Sequence, residues 1–290
     1  RHRVCYRRFC RADQNGCMMG IPVSVIIVTK NEAGRIAECL SHLRAYDDVW
    51  VVDSHSRDTT QDIAKAHGAQ VVDFQWNGTY PKKRQWCLDT LPLKHDWVLF
   101  VDADEIVPLA LREEIAHVLS ASPQMAGYFI IGRYVMQGKI LKYGIPNCKI
   151  ALIHRHRMEF PVVDDLDIPG MGEIEGHYQP VLKSGQHTYP IGNLTTYMIH
   201  DALDDARAWG FRHEKYARWE AGLNKKNAWP VDPVSWRQTV KTYLRQSRFR
   251  PEWMFALGFL VKFGCLDGHN GWRLARMKYT YYNLIRKLSA

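Results

Sequence analysis

Trp97–Glu105 reads WVLFVDADE, and it sets the fold: four apolar residues, Val98-Leu99-Phe100-Val101, run straight into Asp102-Ala103-Asp104-Glu105, three carboxylates in four positions. The apolar run has the length of a strand buried on both faces. Charge at its end marks where a parallel sheet presents its carboxyl ends to a ligand. The same pattern recurs upstream. Val23 to Thr29 (VSVIIVT) is a strand-length β-branched run that ends at Lys30-Asn31-Glu32, after which Ile36, Leu40 and Leu43 fall at helical spacing. Val49 to Val52 is a second short apolar run and ends in Asp53; Ser56 to His67 then reads as a capped helix and Gln70 to Asp73 as a third strand. This β-α-β-α-β alternation predicts an α/β fold, a mostly parallel sheet covered by helices. Lys30-Asn31-Glu32, Asp53 and Asp102-Ala103-Asp104 should therefore converge on one rim.

Beyond it, a helix is expected after Pro108 (Leu109, Ile115, Leu119) and a strand from Tyr128 to Met136. From 137 to 200 the chain is rich in Gly, Pro and His with weak periodicity, which predicts loops that shape a site. Helical character returns at Asp201 to Ala221, and no internal repeat is found.

With 46% hydrophobic and 24% charged residues the 290-residue chain belongs with folded rather than disordered proteins. Its net charge of +9 is unevenly placed: residues 1–20 hold five Arg against one Asp, and residues 223–290 hold 13 Lys or Arg against three acids, so the stretch between is acidic. Seven cysteines, with no C-x-x-C pair, argue against a disulfide framework or a zinc site and for a reducing compartment. Cys5, Cys10 and Cys17 lie in a poorly patterned N-terminus. Arg1 to Gly20 has charges and no apolar core of a secretory signal, so a cytoplasmic location is expected. Met18-Met19 stands just before the first strand, and residues 1–17 read equally as native or as an upstream extension.

Asp102-Ala103-Asp104 can offer alternate carboxylates to one hard divalent cation, Mg2+ or Mn2+, which prefers oxygen ligands and keeps positions for water and phosphate oxygens. A metal-bound diphosphate is the natural partner. Across the expected rim, YPKKRQW (Tyr80 to Trp86) carries Lys82, Lys83 and Arg84, positive charge to balance a phosphate. None of His154, His156, His177, His187 and His200 has the spacing of a zinc-protease motif.

Four stretches, VSVIIVTKNEAGRIAECLSHL, VWVVDSHSRDTTQDIAKAHGAQVV, WNGTYPKKRQWCL and DWVLFVDADEIVP, in this order and spacing, resemble the family 2 glycosyltransferases of GT-A fold. The similarity is strong over residues 21–135 and loose over 136–222. It is greatest to the bacterial subgroup that builds lipopolysaccharide core and exopolysaccharide, including core β-glucosyltransferases. The resemblance implies a GT-A core, Rossmann-like, over 21–136, an acceptor-side and catalytic-base region over 137–222, and a C-terminal helical appendage over 223–290, preceded by the basic extension 1–20. It implies an inverting, metal-assisted hexose transfer from a nucleotide diphosphate sugar, a UDP-sugar by expectation, to a glycan or glycolipid acceptor. Thr29, Asn31 and Glu32 stand where the family's first loop meets the nucleoside, and Asp53 matches a carboxylate that contacts the base or ribose. Asp58 shares that motif and reads equally as a helix cap. Lys83 and Arg84 fall in the basic segment near the donor; Asp102 matches the ribose and metal position and Asp104 the metal position. For the base, DDLDIPGMGEIEGHYQP offers Asp164, Asp165, Asp167, Glu173 and Glu175; Glu173 is favoured and Glu175 second, although Gly172 stands where the subgroup has His. His200 is a secondary candidate near the donor.

In the tail, Trp253 to Val261 is an apolar run too short to cross a bilayer, followed by a helix-like stretch with Arg273, Arg276, Lys278, Arg286 and Lys287 among aromatics. This composition predicts attachment to the cytoplasmic face of an inner membrane, beside a lipid-linked acceptor, and no nucleic-acid partner. Two other readings stay open at this point: transfer to a polyprenyl phosphate, and a non-catalytic glycan-binding protein of the same fold at the membrane surface.

Overall fold

The computed structural model describes residues 20–121, 124–175, 178–186, 188–201 and 206–289. The N-terminal extension through residue 19, with Cys5, Cys10 and Cys17, lies outside the described residues, as do His177 and His187. The elements run β1 (Ile21–Thr29), α1 (Ile36–Ser41), β2 (Tyr46–Asp53), α2 (Thr60–Ala66), β3 (Gln70–Asp73), α3 (Lys83–Thr90), β4 (Trp97–Asp102), β5 (Glu105–Ile106), α4 (Leu109–Ser120) and β6 (Gly127–Met136). There follow β7 (Lys139–Ile140), β8 (Asn147–His154), β9 (Met158–Glu159), β10 (Val181–Leu182), β11 (Ile191–His200), α5 (Ala206–Lys226), α6 (Ser235–Gln246), α7 (Arg250–Ala256) and α8 (Gly268–Ser289).

The main sheet has the order β3-β2-β1-β4-β8-β6-β11-β5. β1, β2, β3 and β4 are parallel, and the register aligns Thr29 with Asp53 and Val28 with Asp102, so the three carboxyl ends finish side by side. The expected α/β sheet and its shared rim are both present. Because side chains alternate across a strand, β1 divides its apolar residues between two cores. Val25 and Ile27 pack with Ile36, Leu40, Leu111 and Ile115 on one face, and Ile26 packs with Phe100, Cys87, Leu88 and Trp219 on the other.

The region 137–200 departs from the expected loops. β8 inserts antiparallel between β4 and β6 in the middle of the sheet, and β11 runs parallel to β6. The apolar centre of β8, Ile150 to Ile153, is buried, but only four residues long and flanked by polar ones. β11 carries Thr and Asn, so neither strand shows a periodicity strong enough to read. Helix α5 starts within the described residues at Ala206 and extends to Lys226, past the expected Ala221.

The tail is packed rather than loose. α8 lies along α5 and α7, and a buried triad joins all three: Glu220 of α5 accepts from Arg250 of α7 at 3.1 Å and from the Tyr281 hydroxyl of α8 at 2.5 Å. Asp267 takes the backbone N–H groups of Lys142 and Tyr143 at 3.2 and 2.8 Å, fixing the β7–β8 connection to the start of α8. Among the described residues, no helix is long and apolar enough to cross a membrane.

Candidate active site

The site grows from the end of β4. After Asp102 the chain turns at once into β5, and Glu105 folds back beneath the turn, fully buried. Its carboxylate accepts from the Asp102 N–H at 2.9 Å and the Lys149 ammonium at 2.7 Å. Burial pushes the Glu105 pKa up, against the pull of Lys149. The third carboxylate of WVLFVDADE is therefore an internal brace, and the other two face the rim. Asp102 meets Lys149 at 2.8 Å and Arg84 at 3.1 Å; burial acts to raise its pKa, but the Lys149 and Arg84 charges outweigh it and hold the carboxyl well below its ordinary range.

Asp104 faces a different set. β5 pairs with the end of β11 so that Glu105 lies opposite His200, and the Asp201 N–H donates to the Asp104 carbonyl at 2.8 Å. This register carries the His200 Nε2 to 3.5 Å from Asp104, with Arg35 at 3.6 Å and Arg212 of α5 at 4.0 Å. The ring is held by Tyr134, stacked at 5.3 Å, and by Asn147 at 3.3 Å from its Nδ1. Burial lowers the His200 pKa and Asp104 more than restores it, leaving the imidazole above its usual value.

The β1 and β2 ends are tied together by Asp53. It is closed off from solvent and accepts from Thr29 Oγ1 at 2.9 Å, Ser56 N–H at 2.7 Å, the Ser56 hydroxyl and Gln61 at 3.0 Å. These hydrogen bonds keep it ionised against the cost of burial. Direct contact with a base requires one of those donors to be displaced; as it stands, Asp53 and Thr29 shape the loop. Asn31, at φ +56°, braces the same loop through Ser56 and Arg57. Glu32 is half-buried, its pKa raised by burial and by Asp104. Asp58 accepts from the Thr60 N–H and the Ala33 N–H, both at 3.1 Å, and so ties the loop after β1 to the start of α2, whose N-cap is Thr59.

Two of the basic residues of YPKKRQW do not reach the rim surface. Lys82, expected among the phosphate-balancing bases, is instead buried in an ion pair with Asp165 at 2.7 Å, and Asp165 also takes Tyr80 and Trp219, each at 2.8 Å. Lys83 is also buried, bonded to the Thr29 carbonyl at 3.2 Å and to Ser54, and desolvation lowers its pKa. Arg84 alone of the three reaches Asp102.

The five acids considered for the base separate cleanly. Asp165 is internal, and Asp164 and Asp167 pair with Lys226 on the far surface at 3.0 and 2.5 Å. Glu175 is buried with one oxygen on the Arg84 N–H and the other on the Gln85 N–H, both at 3.0 Å, so it caps α3. Burial raises its pKa in spite of those bonds. Glu173 stays partly open, hydrogen-bonded by the Ser54 hydroxyl and 3.6 Å from the Lys83 ammonium.

For a divalent cation, the donor set offers Asp102, Asp104 and the His200 imidazole. Among the described residues no group of three His, Cys, Asp or Glu is ready to hold an ion. The close Asp104–His200 pair nevertheless fits an ion that takes few protein ligands and fills its remaining positions with water and phosphate oxygen. Lys149, Arg35 and Arg212 were not singled out in the sequence. A lysine directly before the apolar centre of β8 is the one local signal among them.

Comparison with known proteins agrees with this architecture. Residues 24–165 match Glycosyl transferase family 2. Over 106 residues the chain is 38% identical to an uncharacterised glycosyltransferase of Rickettsia prowazekii (strain Madrid E), covering 35% of this chain and 34% of that protein. Over 123 residues it is 28% identical to the lipopolysaccharide core biosynthesis glycosyltransferase LpsC of Rhizobium meliloti (strain 1021), covering 41% and 44%. The chain thus spans about a third of the length of the Rickettsia relative and under half of LpsC. In structure it is similar to the mannosyltransferase PcManGT of Pyrobaculum calidifontis, solved with GDP-Man and Mn2+, with a TM-score of 0.54, 16% identity, and coverage of 93% of this chain and 87% of that one. The β1–β4 rim, from Thr29 to the Asp102–Asp104 pair, lies within residues 24–165, a family 2 glycosyltransferase domain of GT-A fold.

Proposed function

We propose that this glycosyltransferase moves a hexose, with inversion, from a nucleotide diphosphate sugar to a hydroxyl of a lipid-linked or lipopolysaccharide-type glycan. One observation carries the reading: Asp102, Asp104 and His200 are gathered with Arg84, Lys149, Arg35 and Arg212 at the ends of β1, β4 and β11. A cluster rich in cations around two carboxylates suits a diphosphate that gains negative charge as it leaves. PcManGT, of the same fold, holds GDP-Man and Mn2+, and LpsC acts in lipopolysaccharide core biosynthesis. Asp104 and Asp102, with His200 beside Asp104, would hold a divalent ion, Mn2+ or Mg2+, which when bound would neutralise the diphosphate.

The chain's own residues do the rest. The β1–β2 loop, held by Thr29, Asn31, Glu32 and Asp53, seats the nucleoside, and the guanidinium of Arg84 and the Lys149 ammonium orient the phosphates. The carboxylate of Glu173 takes the proton of the acceptor hydroxyl as its oxygen bonds to the anomeric carbon, and the bond from that carbon to the phosphate oxygen breaks with its electrons going to the diphosphate. Ser54 and Lys83 hold the Glu173 carboxylate in place. Glu173 is favoured over the neighbouring acids because it is the partly open one, with both oxygens of Glu175 spent on α3.

The exposed turn between α7 and α8 supports attachment to an anionic membrane surface. Leu260, Val261, Phe263 and Leu266 are each about 60% exposed, beside the Lys and Arg of the tail. Phe263 is 59% exposed and sits at φ +54°, an uncommon conformation for a bulky residue.

The test is release of nucleoside diphosphate from UDP-, GDP- and dTDP-sugars with Mn2+ or Mg2+, alongside nucleotide binding. Turnover of one donor class, falling about 100-fold or more in Asp104→Ala, is expected. Absence of binding of every nucleotide with metal present overturns the reading.

A further inference from the structure

α5 and α8 enclose a cleft of about 440 Å3 lined by Trp209, Gly210, His269, Trp272, Arg273 and Arg276. On α5, α7 and α8 three other arginines are matched by a carboxylate: Arg218 by Glu214 at 2.7 Å, Arg250 by Glu220 at 3.1 Å and Arg286 by Glu252 at 3.0 Å. Arg273 and Arg276 have no ion pair among the described residues, and the Arg276 guanidinium rests 5.1 Å over Trp272. Trp272 is 39% exposed, with the His269 ring stacked at 6.0 Å. Gly210 lies inside α5, where glycine costs a helix about 1 kcal/mol relative to alanine. A Cβ there meets nothing within 4 Å, so the helix wall is low and unobstructed where it borders the cleft.

The cleft lies beside the donor rim. Trp209 packs against the Met136, Leu141 and Leu274 cluster that also carries Tyr134, and Tyr134 stacks on His200, the partner of Asp104. Arg212, one turn along α5 from Trp209, reaches Asp104 itself.

We infer that this cleft is the acceptor subsite and that it takes a sugar ring bearing an anionic group, a phosphate or a carboxylate. The indole faces receive the apolar face of the ring, and two unmatched guanidinium groups provide planar pairs of donors for the anion. A neutral glycan leaves both guanidiniums without a partner. This inference rests on the transferase reading, since it names the acceptor of the same reaction.

The experiment titrates the full chain with glucose 6-phosphate, glucuronate, glucose and inorganic phosphate, by calorimetry and tryptophan fluorescence, and separately with UDP and GDP. Expected are saturable binding of glucose 6-phosphate or glucuronate, at least tenfold weaker binding of glucose and of phosphate alone, and at least tenfold loss in Arg273→Gln with Arg276→Gln. Trp272→Ala should weaken the anionic sugar without weakening phosphate, and nucleotide binding should be unchanged in each variant. Anionic-sugar binding that is absent, or that survives in the double variant, overturns the inference; phosphate binding as tight as the sugar phosphate overturns its sugar half. The two readings fail separately: nucleotide binding with no affinity for anionic sugar removes the cleft alone, whereas a native chain that binds no nucleotide removes the transferase reading.

Discussion

Glu173 and Glu175 stand two residues apart and meet different surroundings. Glu175 accepts the first free N–H groups of α3, so its removal leaves two donors unpaired in a buried place and costs about 1–3 kcal/mol. Glu175→Ala should therefore lower the urea midpoint while the molecules that remain folded keep their nucleotide affinity. Glu173→Gln should leave both the midpoint and nucleotide affinity in place and cut turnover by about 100-fold, the scale of a lost general base. Denaturation curves and steady-state kinetics on the two variants decide between them. A Glu175 variant that is stable but inactive transfers the base to Glu175.

At the scale of the element, α8 carries a lysine inside its packing. The Lys278 ammonium reaches the Ile145 carbonyl and lies 5.2 Å from the Tyr134 ring. Desolvation draws its pKa down to about 7 from 10.5. Below about pH 7 the folded and unfolded chains both carry the charge and the folded state bears the whole cost of burying it. As pH rises from about 7 to about 10.5 the unfolded chain binds the extra proton, so this group makes the fold more stable with pH. Lys278→Met lacks that term. The stability of native protein minus that of the variant should rise by about 2 kcal/mol between pH 6.5 and pH 9, read from urea unfolding at both. A difference that stays flat shows that α8 does not desolvate the amine.

For the whole molecule, Glu220, Arg250 and Tyr281 join α5, α7 and α8 to one another, Asp267 ties the start of α8 to the β7–β8 connection, and an apolar crown is left at the α7–α8 turn. If that crown enters a lipid surface, the native chain should cosediment with vesicles containing anionic phospholipid, and more weakly as salt rises. Leu260→Asp with Leu266→Asp should reduce partition at least tenfold without changing nucleotide binding. Native protein that stays in the supernatant at low salt refutes attachment through this turn.

The sequence by itself determined the sheet rim. Val23 to Thr29, Val49 to Asp53 and Trp97 to Asp102 are strands because their apolar runs are buried on both faces, and each run announces its end with polar residues, so the order of β1, β2 and β4 and the Asp102–Asp104 pair were legible from local pattern. Only the tertiary structure decided what those acids meet. His200 reaches Asp104 through the β5–β11 register, across nearly a hundred residues of chain, and Lys149 reaches Asp102 from a strand whose apolar centre is four residues long. Lys82 and Lys83 stand beside Arg84 in sequence, yet the ion pair with Asp165 and the contacts with Ser54 draw both inward. Charge in a sequence records what a residue can do; desolvation and partner geometry, which depend on strand pairing between distant segments, fix which residues do it.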